Sequence, residues 1–250
     1  MEVSCVLTDI RYMANVRMSM GIVLTGTIKP NSNFVVIKDV TERRQQYLEA
    51  LEYYRRFAPV WFVENSEYDL ESDDDFSKMD NVTIVKCPVS REFSKGKGYQ
   101  EFEMLDKFFS RTDIPNTIIK VTGRYIIEKF SSVIQDAMNM GDAKVLVNLH
   151  HRGKYADTYL LAFKRDYYRD RLMGLYQKAN DAKGIYIEHV YYKYFTINTQ
   201  SCRLFKNEVD ICAVSGSTGN AYIHSAKWKK VIKCLLRRSL VASNRKFLFW

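Results

Sequence analysis

The sequence predicts an α/β fold with one mostly parallel sheet and helices on its faces, and three observations predict it. Short apolar runs alternate with segments of helical period along most of the chain. The runs are apolar at consecutive positions, as in strands covered on both faces by helices. No Pro/Gly/Ser-rich linker divides the 250 residues, only four of which are Pro, so one domain around one large core is expected.

The first strand falls at 21–27 (GIVLTGT). A helix follows over 41–57, with Tyr47, Leu51 and Tyr54 on one face, charges opposite, and Asp39 or Thr41 as N-cap. Strands at 60–64 (VWFVE) and 82–87 (VTIVKC) precede a helix over 98–110 that buries Phe102, Leu105 and Phe109. The fourth strand, 117–121 (TIIKV), is closed by Thr122-Gly123-Arg124. A helix is then predicted over 125–138 through Ile127, Phe130, Ile134 and Met138. Further strands are read at 144–149 and 158–163, a helix in the C-terminal part of 184–195, and a last strand at 211–214.

The net charge of +9 is not spread evenly. Residues 224–250 contain eight Lys and Arg and no Asp or Glu, leaving +1 for residues 1–223. By composition the body is therefore not a nucleic-acid surface, and nucleic acid is not expected as a partner. Within 226–241, Trp228, Val231, Ile232 and Leu235 share one side of a helical pattern beside Lys229, Lys230, Lys233 and Arg237. Such a basic amphipathic C-terminal helix suits an anionic membrane surface, with packing on its own domain as the alternative. The five cysteines are scattered and show no metal spacing, as in a reducing compartment. The first 20 residues lack the continuous apolar stretch of a signal peptide, and no apolar run reaches about 18 residues. The expected location is cytoplasmic, peripheral at the inner face of the cell membrane. The expected organisation is an N-terminal extension (1–20), a catalytic domain (21–223) and a basic tail (224–250).

In open α/β sheets ligands sit beyond the carboxyl ends of the strands. The polar residues there are Thr25 and Thr27, Glu64-Asn65-Ser66, Lys95–Gly98, Thr122–Arg124 and His150–Arg152. Hydroxyls, amides and cations in such places suit a nucleotide diphosphate. Lys95-Gly96-Lys97-Gly98 precedes a helix without Walker A spacing; lysines can neutralise phosphate there and helix N–H groups can bind it. Arg124, at a strand–helix junction beside Gly123, can hold a phosphate bidentately. Ser215-Gly216-Ser217-Thr218-Gly219 is a small-residue loop that either binds phosphate or sugar through backbone N–H groups or makes a tight turn. It lacks the order of a nucleophile elbow. The run Asp73-Asp74-Asp75 reads as a solvated loop rather than a metal site. A base that activates an acceptor hydroxyl is sought among Asp157, Glu188 and His189.

Several stretches together resemble a group of bacterial surface-polysaccharide glycosyltransferases: LTGTIKP (24–30), ERRQQYLEAL (42–51), WFVENSEYDL (61–70), KGKGYQEFEML (95–105), IIKVTGRY (118–125), DTYLLAF (157–163), YIEHVYYKY (186–194) and SGSTG (215–219). The resemblance covers most of 21–222 and is most specific in KGKGYQE and KVTGRY. It implies a single GT-A-like (Rossmann-like) domain that takes a sugar from a nucleotide-sugar donor to a glycan or lipid-linked glycan acceptor, in lipopolysaccharide O-antigen or capsule synthesis. Such enzymes usually carry Asp-x-Asp at the end of the fourth strand to hold a divalent metal. Here that place reads Val121-Thr122-Gly123-Arg124, so no metal cofactor is expected. On this reading Thr25, Thr27, Glu64 and Asn65 line the nucleotide pocket, and Arg43, Lys95, Lys97 and Arg124 meet the diphosphate, with Ser215 and Ser217 near it. Asp157 or Glu188 is base or acceptor anchor. A nucleotidyl- or phosphotransferase on a similar sheet, or a non-enzymatic basic binding protein, are the competing readings.

Overall fold

The computed structural model describes residues 19–30, 38–207 and 210–212. Strands β1 (Met20–Gly26), β2 (Val60–Glu64), β3 (Val82–Lys86) and β4 (Thr117–Thr122) lie parallel in the order β3-β2-β1-β4. Parallel neighbours need crossover connections, and helices supply them. Helix α1 (Val40–Tyr54) joins β1 to β2 and is N-capped by Asp39, whose side chain accepts from the Glu42 N–H. Helix α2 (Lys97–Phe109) joins β3 to β4. Residues alternate across the sheet. Ile22, Leu24, Ile119 and Val121 pack on the side of α1, and Val23, Ile118 and Trp61 pack on the side of α2.

The second half comprises β5 (Ile126–Ile127), helix α3 (Phe130–Met138), β6 (Val145–Leu146), a hairpin of β7 (Leu149–His150) and β8 (Tyr155–Ala156), β9 (Leu160–Lys164), helix α4 (Ile187–Ile197), β10 (Cys202–Arg203) and β11 (Ile211–Cys212). The full sheet order is β3-β2-β1-β4-β9-β6-β10. The expected class, α/β with a largely parallel sheet flanked by helices, is the one observed. Only β9 opposes its neighbours, pairing antiparallel with both β4 and β6. Between β6 and β9 the chain makes the β7–β8 hairpin instead of a helical crossover, so it returns in the opposite direction. This reversal sets the start of β9 beside the end of β4: Leu160 faces Val121, and the Thr122 N–H donates to the Tyr159 carbonyl (2.9 Å).

Most predicted boundaries stand within about three residues. The predicted 144–149 strand is divided into β6 and β7. The helix expected over 125–138 begins only at Phe130, and the reason is chemical. The Tyr54 hydroxyl donates to the Tyr125 carbonyl (2.7 Å) and accepts the Ile127 N–H (3.0 Å). The Tyr53 hydroxyl donates to the Ile127 carbonyl (2.8 Å), and β11 pairs antiparallel with β5. These partners take the backbone groups that a helix would need, and Lys129 sits at φ 54°. Of the strand expected at 211–214, Ile211–Cys212 is described. Ser215, Ser217 and the 226–250 segment lie outside the described residues. Among the described residues no helix is long and apolar enough to cross a membrane.

Tyr54→Phe leaves a buried N–H and a buried carbonyl without their shared partner. A loss of about 1–3 kcal/mol is expected in urea unfolding. A loss within error of zero would show that 125–127 is held by other means.

Candidate functional site

The carboxyl ends of β1, β2 and β4 lie side by side at one end of the sheet, and the polar residues there fall into two sets. The first set holds the chain. Thr25 and Thr122 are register partners on β1 and β4, and both hydroxyls donate to Glu101 Oε1 on α2, at 2.5 and 3.0 Å. Lys120 projects from the same face of β4 as Thr122. Its ammonium meets Glu101 Oε1 at 2.6 Å, the Thr158 carbonyl at 2.6 Å and Thr122 Oγ1 at 3.1 Å. Lys120 is fully buried and Glu101 keeps 19% of its side chain exposed. Burial pulls the Lys120 pKa below its ordinary value against the attraction of Glu101 and Glu188. Burial also penalises the Glu101 carboxylate, but Lys120 and the hydroxyls outweigh it and hold that pKa below the usual range. The stability gained from Glu101 is thus present above the unfolded carboxylate pKa and is lost as pH falls through the lower folded value.

Glu64 and Arg43, expected in the nucleotide pocket and on the diphosphate, belong to this structural set as well. Glu64 is fully buried. Its Oε1 accepts from the Ile28 and Ser66 N–H groups (3.0 Å each) and from the Ser66 hydroxyl, and its Oε2 meets Lys86 Nζ at 2.5 Å. Arg43 is also buried, and its guanidinium donates to the Thr27 and Ile28 carbonyls and to the Tyr47 hydroxyl (3.2 Å). Burial lowers its pKa, and Arg124 is close enough to add to that effect. Both buried charges have partners within the chain, Glu64 the Lys86 ammonium and Arg43 the carbonyls that follow β1.

The second set reaches outward. Thr27 Oγ1 donates to Asn65 Oδ1 (2.6 Å), joining the ends of β1 and β2. Gly123 turns against the chain so closely that an added Cβ would lie 2.6 Å from the Thr25 carbonyl oxygen, so only glycine fits. Arg124 follows, half-buried, with Nη1 2.5 Å from Gln46 Oε1. It opens the turn into β5, not a helix. Lys97 is exposed at the start of α2, and Lys95 lies over the Tyr99 ring at 4.7 Å and 3.4 Å from Glu92. The Asp181 carboxylate lies against the start of α2, beside Gly96. Gly96, at φ 93°, makes room for that carboxylate, since an added Cβ would lie 1.9 Å from its Oδ2. Burial, then the neighbouring Glu188, pushes the Asp181 pKa up.

Of the candidate bases, Glu188 on α4 stands beside Thr158, with Thr158 Oγ1 3.4 Å from its Oε1, and feels Lys120. His189 is exposed and packs edge-on against Tyr186. Asp157 is engaged at both oxygens: Oδ1 lies 3.0 Å from His150 Nε2, and Oδ2 accepts from the Tyr159 hydroxyl (3.2 Å). The His150 ring stacks on Tyr155 at 4.3 Å and remains 36% exposed. The acidic run is engaged by the chain. Asp73 caps the single turn Asp74–Ser77, and Arg44 pairs with Asp73 (2.6 Å) and Asp75 (2.5 Å).

Sequence reasoning missed Glu101, Lys120 and Thr158. The signal was available in one case: the charged residue inside the apolar run TIIKV demands a buried counter-ion.

No protein-family model matches the chain, and no curated protein matches it in sequence. Among solved structures, the galactosyltransferase LgtC in complex with donor and acceptor sugar analogues is 7% identical, with 74% of this chain and 73% of that one covered at a TM-score of 0.49. Mouse xyloside xylosyltransferase 1 is 9% identical over 74% of this chain and 84% of that one, at a TM-score of 0.46. A cytidylyltransferase from Leptospira borgpetersenii is 13% identical over 92% and 88%, at 0.41. Likenesses of this strength choose neither a family nor a chemistry.

Replacing Glu101 by Gln leaves the Lys120 charge buried without a counter-ion, at an expected cost of about 3 kcal/mol in urea unfolding. The double variant Glu101→Gln/Lys120→Met should recover more than half of that loss. Equal losses in both would show that the pair is not coupled.

Proposed function

We propose that the chain is a nucleotide-sugar-dependent glycosyltransferase, acting on a hydroxyl of a glycan or lipid-linked glycan in bacterial surface-polysaccharide synthesis. The supporting observation is the gathering of polar groups at the ends of β1 and β4. There a glycine-tight turn leads from β4 to Arg124, at the end of the sheet that also carries Thr27 and Asn65, and the reversed β9 delivers Asp157, Thr158 and, from α4, Glu188 to the same end. Strand ends of this kind hold nucleotides.

In the proposed reaction the acceptor oxygen bonds to the anomeric carbon, and the bond from that carbon to the diphosphate oxygen breaks. Arg124 and Lys97 take the negative charge that develops on the leaving diphosphate, without a resident metal. The acceptor proton passes to a base. Asp157 is suited to orienting the His150 imidazole, because both its oxygens already have partners; His150 then presents the basic nitrogen. Glu188 is the second candidate, or the anchor of the acceptor. His189, exposed and turned to Tyr186, has the weakest case of the three original candidates. The tail 226–250 is proposed as a contact with the inner face of the cell membrane.

A thermal-shift screen of UDP, GDP, CMP and CDP and their sugars, each with manganese and with EDTA, tests the reading. A ligand at about 100 times its Kd adds roughly 2.7 kcal/mol, or a few degrees in Tm. One nucleotide class should shift the protein in EDTA, and Arg124→Ala should abolish that shift while costing under about 1 kcal/mol of stability. Silence from every nucleotide would overturn the proposal. A shift seen only with manganese would overturn its metal-independent form.

His150→Gln and Asp157→Asn should leave that shift intact and lower turnover by about a hundredfold or more. Unchanged turnover would return the base to Glu188.

A further inference from the structure

We propose that the surface formed by residues 91–97 and 178–186 seats the protein on an anionic lipid bilayer, as a contact separate from the basic tail. The two segments are one surface because they pack together: the Asp181 carboxylate fills the space beside Gly96. Six large apolar side chains are exposed among the described residues, and three of them, Phe93 (42%), Ile185 (43%) and Tyr186 (47%), fall on these two joined segments; Tyr155, Met173 and Ile197 are the others. Apolar surface left in water forgoes about 25 cal/mol per Å², so three such side chains on two joined segments favour an apolar contact.

The charges around the cluster say what the contact is. Lys95, Lys97 and Lys183 stand among these residues, with Lys97 and Lys183 exposed. Of the nearby carboxylates, Glu92 pairs with Lys95, and Asp181 is turned to the α2 N-terminus. Apolar and aromatic side chains ringed by lysines match the bilayer interface, where rings enter the headgroup region and ammonium groups meet anionic lipid. A polynucleotide would use the lysines, and its bases could stack on the rings, but it offers nothing to Ile185. The surface also adjoins the strand ends: Lys97 opens the helix that carries Glu101, and Tyr186 lies two residues before Glu188. A bilayer bound here lies beside the candidate site. The proposal does not depend on the reaction being glycosyl transfer.

The test is co-sedimentation of the full chain with phosphatidylcholine vesicles, with and without phosphatidylglycerol. The wild type should bind the phosphatidylglycerol vesicles. Phe93→Ser/Tyr186→Ser should weaken that binding by about tenfold or more. Lys183→Glu should weaken it roughly tenfold at low salt, with the difference shrinking as salt rises. The tail is present throughout, so the ratio of variant to wild type isolates this surface. Ile185→Ser, at an exposed position, replaces the double variant if that one has a lowered Tm. Binding within twofold of wild type in folded variants, or no binding by the wild type, overturns the proposal. So does a loss confined to binding of a single-stranded oligonucleotide, which would make the surface a nucleic-acid site.

Discussion

A lysine ammonium buried in the middle of a parallel strand is the constraint on which the candidate site depends. Lys120 carries its charge into a space with no exposed surface, where an uncompensated cation costs several kcal/mol. The fold must therefore bring it acceptors, and it brings them from three directions: Glu101 from α2, Thr122 from its own strand and the Thr158 carbonyl from the approach to β9. Glu101 in turn needs donors beyond the ammonium and takes them from Thr25 and Thr122. One ion pair thus fixes β1, β4, α2 and the entry to β9 relative to each other. These are the elements whose ends form the candidate site. Such a pair adds little net stability compared with apolar packing, but it permits few arrangements.

The same logic separates supporting groups from working groups. Charged residues that are fully engaged by the chain, such as Glu64 with two backbone N–H groups and Lys86, or Arg43 with two carbonyls, hold the β1–α1 turn in place. Groups with few internal contacts and remaining exposure can still meet a ligand. Arg124, Lys97, His150 and Glu188 are of that kind. Charge alone did not distinguish the two sets; the count of internal partners does.

The sheet was legible because strands covered on both faces must be apolar throughout, so GIVLTG and VWFVE announce themselves. The helix over 97–109 was equally clear, with Phe102, Leu105 and Phe109 on its buried side. What failed were features fixed by partners distant in sequence. The residues 125–128 have a helical pattern, yet hydroxyls some 70 positions earlier hold two of them extended. The orientation of β9 depends on a hairpin whose two-residue strands carry no periodic signal. For the site, position after a strand correctly gathered Thr25, Thr27, Asn65 and Arg124 at one end of the sheet. It could not tell that Asp157 would be engaged by His150 and Tyr159.

The neutral pairing beneath the strand ends has a further consequence for how an anion would be held there. Lys120 is a cation near the end of β4, but Glu101 is paired with it, so it contributes orientation and little net potential. Arg43 is buried and its donors are turned to carbonyl oxygens of its own chain. On the proposed function, attraction for a diphosphate would then come from Arg124 and Lys97. Exposed charges are screened by salt over about 10 Å, whereas buried ones are not. The fold therefore separates two tasks within a few residues of β4. The buried pair sets the geometry of the strand ends and is insensitive to salt. On the proposed function, half-buried Arg124 and exposed Lys97 would supply the field, and binding of an anion there should follow ionic strength while the geometry of the strand ends does not.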